Sequence, residues 1–250
     1  MNLKEEWNKR AKEDAFRYVS CFRKDWNDES FYGWGEFQTR MVIDKFFKAQ
    51  NIDPSGWAVL EIGCGAGRMS RALASRFKRV FAYDVSDEYV QIAEEKNSHL
   101  RNVVFTVNDG LSFPEVDSGS IDFVFSGWTM QHMPTKAVVI KNIEEIGRVL
   151  KNGGLYKIDP VISVHSQIVE TMVSNVVSSR IIKFCAPLFG IDKFVVTPTW
   201  RGARFAEEEL FAVLSRNSLT VNTLVEDDGL GLFHGKKVMR KWFCGKKTAI

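Results

Sequence analysis

The sequence predicts an α/β protein built on a parallel sheet with helices on both faces. Two observations indicate this fold class. Short segments that are apolar throughout, such as 57–62 and 121–126, alternate with segments whose apolar residues recur at helical spacing. Strands buried on both faces have this continuous apolar character, and strand–helix alternation is typical of parallel sheets. With 250 residues, the chain is long enough for one large core and a small cap.

Residues 1–50 are predicted to form an N-terminal helical cap, and residues 51–250 to form the main domain. The segments 3–19 and 37–50 both have apolar residues at helical spacing, whereas the aromatic-rich stretch 25–36 between them is interpreted as an irregular loop.

Five strands are predicted first in the main domain, at 57–62, 79–85, 102–107, 121–126 and 155–161. Ser86 is expected to cap the helix after the second strand. The sequence NGG at 152–154 is expected to end the helix at 136–150. The segments 218–227 and 236–247 predict two more strands, close enough along the chain to form a final antiparallel pair.

The most informative motif is a glycine-rich segment, residues 63–67, between the first strand and the following helix. Glycines stand at 63, 65 and 67. Glycine lets a backbone turn tightly and lets a ligand approach main-chain N–H groups. Open parallel sheets bind their ligands at the carboxyl ends of the strands, where this segment lies. A tight turn without a ligand is the alternative interpretation.

Acidic residues at neighbouring strand ends support a nucleoside site. Asp84 closes the second strand, where a carboxylate can accept hydrogen bonds from both ribose hydroxyls. Asp109, just past the third strand, can accept from an exocyclic amine such as that of adenine, with Asn108 or Gly110 beside the ring, although an aspartate here is by itself more often a turn former. Glu61 precedes the glycines and would repel a pyrophosphate, but it could help orient the glycine segment or meet the ammonium of a methionine moiety, directly or through water. The spacing G-x-G-x-G also differs from the dinucleotide pattern G-x-G-x-x-G, so S-adenosylmethionine is favoured over a dinucleotide.

The segments VLEIGCGAGRMS (59–70) and IDFVFSGWTMQHMP (121–134), together with Asp84 and Asp109, resemble the successive motifs of class I S-adenosylmethionine-dependent methyltransferases. The resemblance covers roughly residues 40–160 and the last two strands. It implies a doubly wound, Rossmann-like sheet of seven strands with the last strand antiparallel. It also implies a set of cofactor-binding residues: Glu61, Gly63, Cys64, Gly65, Gly67, Asp84, Val85, Asn108, Asp109, Gly110 and Ser126.

Two histidines are candidate catalytic residues. Methyl transfer from a sulfonium is an in-line displacement, so positioning supplies most of the catalysis. A hydroxyl nucleophile also benefits from a base such as histidine. His132 follows the fourth strand, close to the expected methyl group, and is the first candidate; His165, after the fifth strand, is the second. A structural role is the alternative for both. No ligand spacing indicates zinc, so no metal is predicted.

Residues 162–204 are predicted to be an insert on the substrate side. Apolar residues in 168–177 form a wide helical stripe, which indicates core packing, a dimer face or a lid over an apolar substrate. Arg201 could bind a carboxylate or phosphate, or lie in a solvated loop. In the cap, Trp7 could fold over the cofactor with Arg10 at its carboxylate, or both could simply pack the cap onto the sheet.

Composition restricts the function classes. The net charge of +3 is too small to indicate nucleic acid or an anionic membrane, and the apolar runs are too short to span a bilayer. The N-terminus lacks an apolar signal core, which predicts a soluble cytoplasmic protein. The predicted function is methylation of an oxygen or nitrogen atom of a small molecule, with a homodimer left open. The alternatives are a protein methyltransferase, a non-catalytic S-adenosylmethionine-binding partner protein and, third, a nicotinamide oxidoreductase.

Overall fold

The computed structural model describes residues 3–20, 25–162, 202–226, 232–233, 236–237 and 241–249. Before the sheet it contains the helices α1 (Leu3–Ser20), α2 (Asp28–Thr39) and α3 (Lys45–Ala49), with a π-helical turn at Arg40–Asp44 joining the last two. Helix α1 is broken at Asp14, whose φ of −169° is extended, and the Asp14 carboxylate accepts a hydrogen bond from the Arg17 N–H.

Helix α2 replaces the irregular loop predicted at 25–36, so that prediction is wrong. The helix begins because the Asn27 side chain accepts from the Ser30 N–H while the Ser30 hydroxyl accepts from the Asn27 N–H. Gly35 serves packing rather than a turn. A Cβ at Gly35 would lie 2.3 Å from the carbonyl oxygen of Arg68, so glycine lets α2 approach the following helix closely.

The main domain alternates strands and helices as predicted. Its first part consists of β1 (Ala58–Ile62), α4 (Arg68–Ala74), β2 (Arg79–Asp84), α5 (Asp87–Lys96), β3 (Val103–Val107), β4 (Ile121–Ser126), a 3₁₀ turn (Met130–His132), α6 (Lys136–Val149) and β5 (Leu150–Ile158). Its second part consists of β6 (Val161–Ile162), β7 (Arg204–Phe205), α7 (Glu207–Arg216), β8 (Leu219–Glu226), β9 (Leu232–Phe233), β10 (Lys236–Lys237) and β11 (Lys241–Lys247). The Ser86 hydroxyl accepts from the Tyr89 N–H and caps α5 as expected.

In the described part of the chain, seven strands form one sheet in the order β3-β2-β1-β4-β5-β11-β8. Strands β1 to β5 are parallel, and β11 runs antiparallel to both β5 and β8. The fold class and the final antiparallel strand are therefore confirmed. Within the described ranges, none of the helices combines the length and apolar character that a bilayer crossing needs.

One boundary differs from the prediction. The sequence NGG does not end a helix, because α6 already stops at Val149 and β5 starts at Leu150. Gly153 has a φ of +80°, and the pairing of β4 with β5 shifts register between Ile121 and Phe123. The glycines therefore bend the start of a strand. Such a bend favours glycine, as a helix end does.

Apolar clusters on the two faces of the sheet hold the fold together. Leu60 and Ile62 of β1 face the side covered by α6 and α7, where they join Ile143 and Leu214. Val59 faces the side of α3 and α4. Because side chains alternate along a strand, Glu61 shares the face of Val59 and points beneath α4. This placement brings a carboxylate into a largely apolar setting.

Candidate functional site

An open cavity lies at the carboxyl ends of β1, β2 and β4, with about 1020 Å³ of empty space that includes solvent at its mouth. Nine of the residues predicted to form the site line it: Glu61, Gly63, Cys64, Gly65, Asp84, Val85, Asn108, Gly110 and His132. The predicted residues Gly67, Asp109 and Ser126 are described in the structure but do not line this cavity. His165 lies outside the described residues, as does Arg201.

The glycine segment turns through backbone conformations that favour glycine. Gly63, Gly65 and Gly67 have φ angles of +78°, +52° and +74°. A Cβ at Gly63 would lie 2.2 Å from Oγ1 of Thr129, and a Cβ at Gly67 would lie 2.6 Å from the Asn97 amide nitrogen. Space and dihedral angle therefore both require glycine here.

Asp84 joins the end of β2 to the glycine segment. Its Oδ2 accepts a hydrogen bond from the Gly65 N–H at 2.9 Å, and its Oδ1 accepts from the Ser86 N–H at 2.9 Å. Burial raises the pKa of this carboxyl, although these N–H donors act in the opposite direction. Each carboxylate oxygen can accept a further hydrogen bond. Asp84 is thus held in place on the cavity wall with acceptor capacity remaining.

Glu61 is buried, with 3% of its surface exposed, yet contributes to the cavity wall. The Ser70 hydroxyl donates to its Oε2 at 2.6 Å. Burial raises the pKa of Glu61 to about 7, while Ser70 and Arg68 favour the charged form and Asp84 disfavours it. Beside it, burial also raises the pKa of the Cys64 thiol well above its ordinary value. The carboxyl therefore changes its charge near neutral pH.

The segment after β3 forms another part of the wall. Asn108 is fixed by a hydrogen bond from its amide to the Ser112 carbonyl at 2.9 Å. Asp109 is exposed, and its Oδ1 accepts from the Leu111 and Ser112 N–H groups at 2.8 and 2.9 Å. Burial raises the pKa of Asp109, but these hydrogen bonds outweigh it and the pKa is lowered. Contact of Asp109 with an adenine amine stays a prediction, as does the position of Ser126 near the methionine end.

The turn after β4 carries His132 into the cavity. The ring of His132 packs edge-on against Trp7 at 5.1 Å, and its Nε2 lies 3.2 Å from the Gln131 amide nitrogen. Trp128, in the same turn, has a φ of +60°, which is rare for a bulky residue. Its N–H donates to Oδ2 of Asp159 at 2.6 Å. Such strained backbone occurs mainly at functional sites.

Helix α1 covers one side of the cavity, which sequence reasoning foresaw only for Trp7. Tyr18 and Val19 also line it. The helix is joined to α5 through Asn8, whose side-chain oxygen accepts from the Ser86 hydroxyl at 2.6 Å. Arg10 does not line the cavity. It pairs with Glu6 and lies 4.5 Å from the centre of the Trp7 ring, so it supports that ring instead of reaching into the site.

Several further lining residues were missed, among them Arg68, Trp128, Thr129 and Gln131. Their signal in the sequence was position alone, since Arg68 follows the glycines directly and the other three follow β4. Tyr18 and Val19 had no such signal, because α1 reaches the site through tertiary packing.

Comparisons with known proteins agree with this geometry. Residues 59–154 match the family model described as a methyltransferase domain. Phosphoethanolamine N-methyltransferase 1 of Caenorhabditis elegans is 32% identical over 81 residues, which are 32% of this chain and 17% of that protein. The 2-methyl-6-phytyl-1,4-hydroquinone methyltransferase of Synechocystis is 40% identical over 105 residues, 41% of this chain and 31% of that protein. The matched segments thus span less than a third of the length of these relatives.

Among solved structures, magnesium protoporphyrin IX methyltransferase from Synechocystis, with bound SAH, superposes with a TM-score of 0.67. The match has 14% identity and covers 98% of both chains, so it shows the fold. Residues 59–154 are therefore similar to a methyltransferase domain, and the chain as a whole has the fold of a solved methyltransferase that binds SAH.

Proposed function

We propose that this chain binds S-adenosylmethionine in the cavity and transfers its methyl group to an oxygen or nitrogen atom of a small-molecule acceptor. The proposal depends mainly on the hydrogen bond from the Gly65 N–H to Asp84. This bond places a carboxylate beside a backbone segment that a ligand can approach closely, on the same wall of the cavity.

The residues present fit the cofactor. Asp84 has acceptor capacity for the ribose hydroxyls, and the backbone at Gly63 and Gly65 lets the amino acid part approach closely. Val85, Asn108 and Gly110 provide a wall for the adenine. When bound, S-adenosylmethionine supplies an electrophilic methyl group on sulfur.

The chain's own contribution to catalysis is positioning and proton transfer. Trp7 and Trp128 line the cavity, and their aromatic surface would exclude water from the reacting atoms of a bound cofactor and acceptor. His132 reaches the same cavity and is the candidate base for an acceptor hydroxyl or ammonium. The names of the relatives support a small-molecule acceptor, since they specify phosphoethanolamine, a hydroquinone and a porphyrin.

A labelled-methyl assay tests the proposal. The protein is incubated with methyl-labelled S-adenosylmethionine and fractions of a metabolite extract, and products are identified by mass. We expect label in a small molecule and S-adenosylhomocysteine that accumulates only when an acceptor is present. Label in a peptide library instead would indicate a protein methyltransferase. Tight S-adenosylhomocysteine binding without transfer to any acceptor would indicate a non-catalytic binding protein.

A further inference from the structure

The carboxyl group of Glu61 is the one acidic group, in the described part of the chain, that is both almost completely buried and part of the cavity wall. It lies beneath α4, where the Ser70 hydroxyl donates to it at 2.6 Å. A buried carboxylate is stable only beside a cation or several hydrogen-bond donors. A single hydroxyl donor stabilises the ionised carboxylate much less than water does, so this environment favours the protonated acid.

Charged and titratable groups on several neighbouring elements surround Glu61. Arg68 on α4 favours the ionised carboxylate, and its Nη2 donates to the Val19 carbonyl at 3.2 Å. Asp84 at the end of β2 disfavours it. Cys64 in the glycine segment is a buried thiol with a raised pKa and is therefore uncharged near neutral pH. Tyr18 and His132 line the same cavity from α1 and the 3₁₀ turn. Burial is the largest of these effects.

The ligand of the proposed function would change this balance. The amino acid part of S-adenosylmethionine carries an ammonium group, and the glycine segment that would lie against that part directly follows β1 and Glu61. An ammonium near a buried carboxylate provides the cation that the ionised form needs. It has no comparable attraction to a neutral carboxylic acid.

We propose that Glu61 carries a proton in the free protein and releases it when the cofactor's ammonium binds, so that cofactor capture is coupled to proton release. The inference rests on the proposed function, because it requires a ligand with an ammonium in this cavity. No covalent bond forms or breaks apart from the O–H bond of Glu61, whose proton passes to solvent.

The coupling has a measurable size. With a group that titrates near pH 7, binding should release about 0.9 proton at pH 6, about 0.5 at pH 7 and about 0.1 at pH 8. The affinity for S-adenosylhomocysteine should then be about tenfold weaker at pH 6 than at pH 8. Binding is favoured as pH rises because the competing proton is already lost.

Calorimetry measures both quantities on the complete chain. S-adenosylhomocysteine is titrated at pH 6, 7 and 8 in buffers with different ionisation enthalpies, which gives the number of protons released. 5′-Methylthioadenosine is the matched ligand, because it keeps the nucleoside but lacks the ammonium. Glu61→Gln is the matched variant, and His132→Gln removes the other group at the cavity that ordinarily titrates near neutral pH.

We expect proton release with S-adenosylhomocysteine in the wild type and in His132→Gln, and none with 5′-methylthioadenosine or in Glu61→Gln. The wild-type measurement needs no variant, so a poorly folded Glu61→Gln would not prevent the test. Equal proton numbers for the two ligands in the wild type, or release that disappears in His132→Gln, would overturn the inference while leaving the proposed function intact. Failure of S-adenosylhomocysteine to bind at every pH would contradict both.

Discussion

The carboxylate of Asp84 has a structural and a binding role at the same time. It accepts hydrogen bonds from the Gly65 and Ser86 N–H groups, which fixes the glycine segment against the end of β2. The remaining lone pairs are those that we assign to ribose hydroxyls. A substitution therefore affects both the shape of the cavity and the contacts inside it.

We expect Asp84→Asn to weaken S-adenosylhomocysteine binding by at least about thirtyfold, because hydrogen bonds to a charged acceptor contribute about 1.5–3 kcal/mol each. Calorimetry measures the change. Asp87→Asn is the control, since Asp87 is exposed and does not line the cavity. An Asp84 variant with wild-type affinity would contradict the assignment.

Two constraints require glycine at position 63: the positive φ angle and the lack of space for a Cβ atom. We expect Gly63→Ala to destabilise the protein by more than Gly153→Ala. Both positions have a φ near +80°, but the new Cβ would meet Thr129 only at Gly63, while Gly153 faces open space. The left-handed conformation alone should cost about 1 kcal/mol. Urea unfolding compares the two variants, and equal losses would show that Thr129 yields without cost.

The role of His132 can be assigned by measuring the effect of its substitution on turnover and on cofactor binding separately. Once an acceptor is known, we expect His132→Ala to reduce kcat at least about a hundredfold, the usual range for a lost general base, with a much smaller change in cofactor affinity. Steady-state kinetics and calorimetry provide the two values. Equal losses in both would make His132 part of the binding wall.

Sequence reasoning identified residues well where the strand ends fix their position. Nine predicted site residues line the cavity because the carboxyl ends of parallel strands meet at one edge. It did not find Tyr18 or Val19, because their place depends on how α1 packs against α5. For Asp109 it could not decide between contact with a ligand and hydrogen bonds within its own turn, because an aspartate in either role directly follows the strand. The structure shows the hydrogen bonds within the turn.

At the scale of elements, Arg76 joins the N-terminal helical region to the main domain. Its guanidinium donates to Glu36 at 2.7 Å and to Asp44 at 2.6 Å, and these carboxylates raise the pKa of Arg76. Glu36 belongs to α2 and Asp44 to the π-helical turn. One half-buried cation therefore holds two consecutive segments of the N-terminal helical region.

We expect Arg76→Met to lower the free energy of unfolding by about 1 kcal/mol, because solvent reaches both carboxylates and screens the attraction. Arg40→Met is the control. Arg40 lies 3.9 Å from Glu36 and its side chain is 62% exposed, so its loss should change little. Urea unfolding at low and high salt compares them. A loss for Arg40→Met as large as that for Arg76→Met would contradict the structural role of Arg76.

Two elements differ from the sequence prediction. The aromatic-rich stretch 25–36 indicates an irregular loop, but α2 occupies most of it, and NGG at 152–154 indicates a helix end, but β5 bends there. Glycine marks a turn, a close contact or a bend equally well, and only the tertiary neighbours decide which applies. At Gly35 that neighbour is the backbone of Arg68, 33 residues further along the chain.

At the scale of the whole molecule, the strand order places the cavity. The chain proceeds from β1 outward to β2 and β3 and then returns to the other side of β1 with β4. Helices on opposite faces leave a crevice at such a switch point. This consequence was predictable from the alternation of strands and helices. The closure of the crevice by α1 was not, since it depends on contacts between distant segments.

The buried carboxyl of Glu61 links the stability of the whole molecule to pH. Its pKa rises from an ordinary 4.5 to about 7 on folding. A raised pKa contributes stability that is complete below pH 4.5 and is lost as pH rises through 7. We expect Glu61→Gln to gain about 3 kcal/mol relative to the wild type between pH 4.5 and pH 8. Urea unfolding across this range measures it, and a constant difference would show that Glu61 stays charged.

The most direct test of the central assignment is calorimetric titration of the purified chain with S-adenosylhomocysteine and, separately, with NAD. We predict saturable binding of S-adenosylhomocysteine with one site per chain, reduced in Asp84→Asn, and no binding of NAD. Binding of NAD in preference to S-adenosylhomocysteine, or S-adenosylhomocysteine binding that is unchanged in Asp84→Asn, would contradict it.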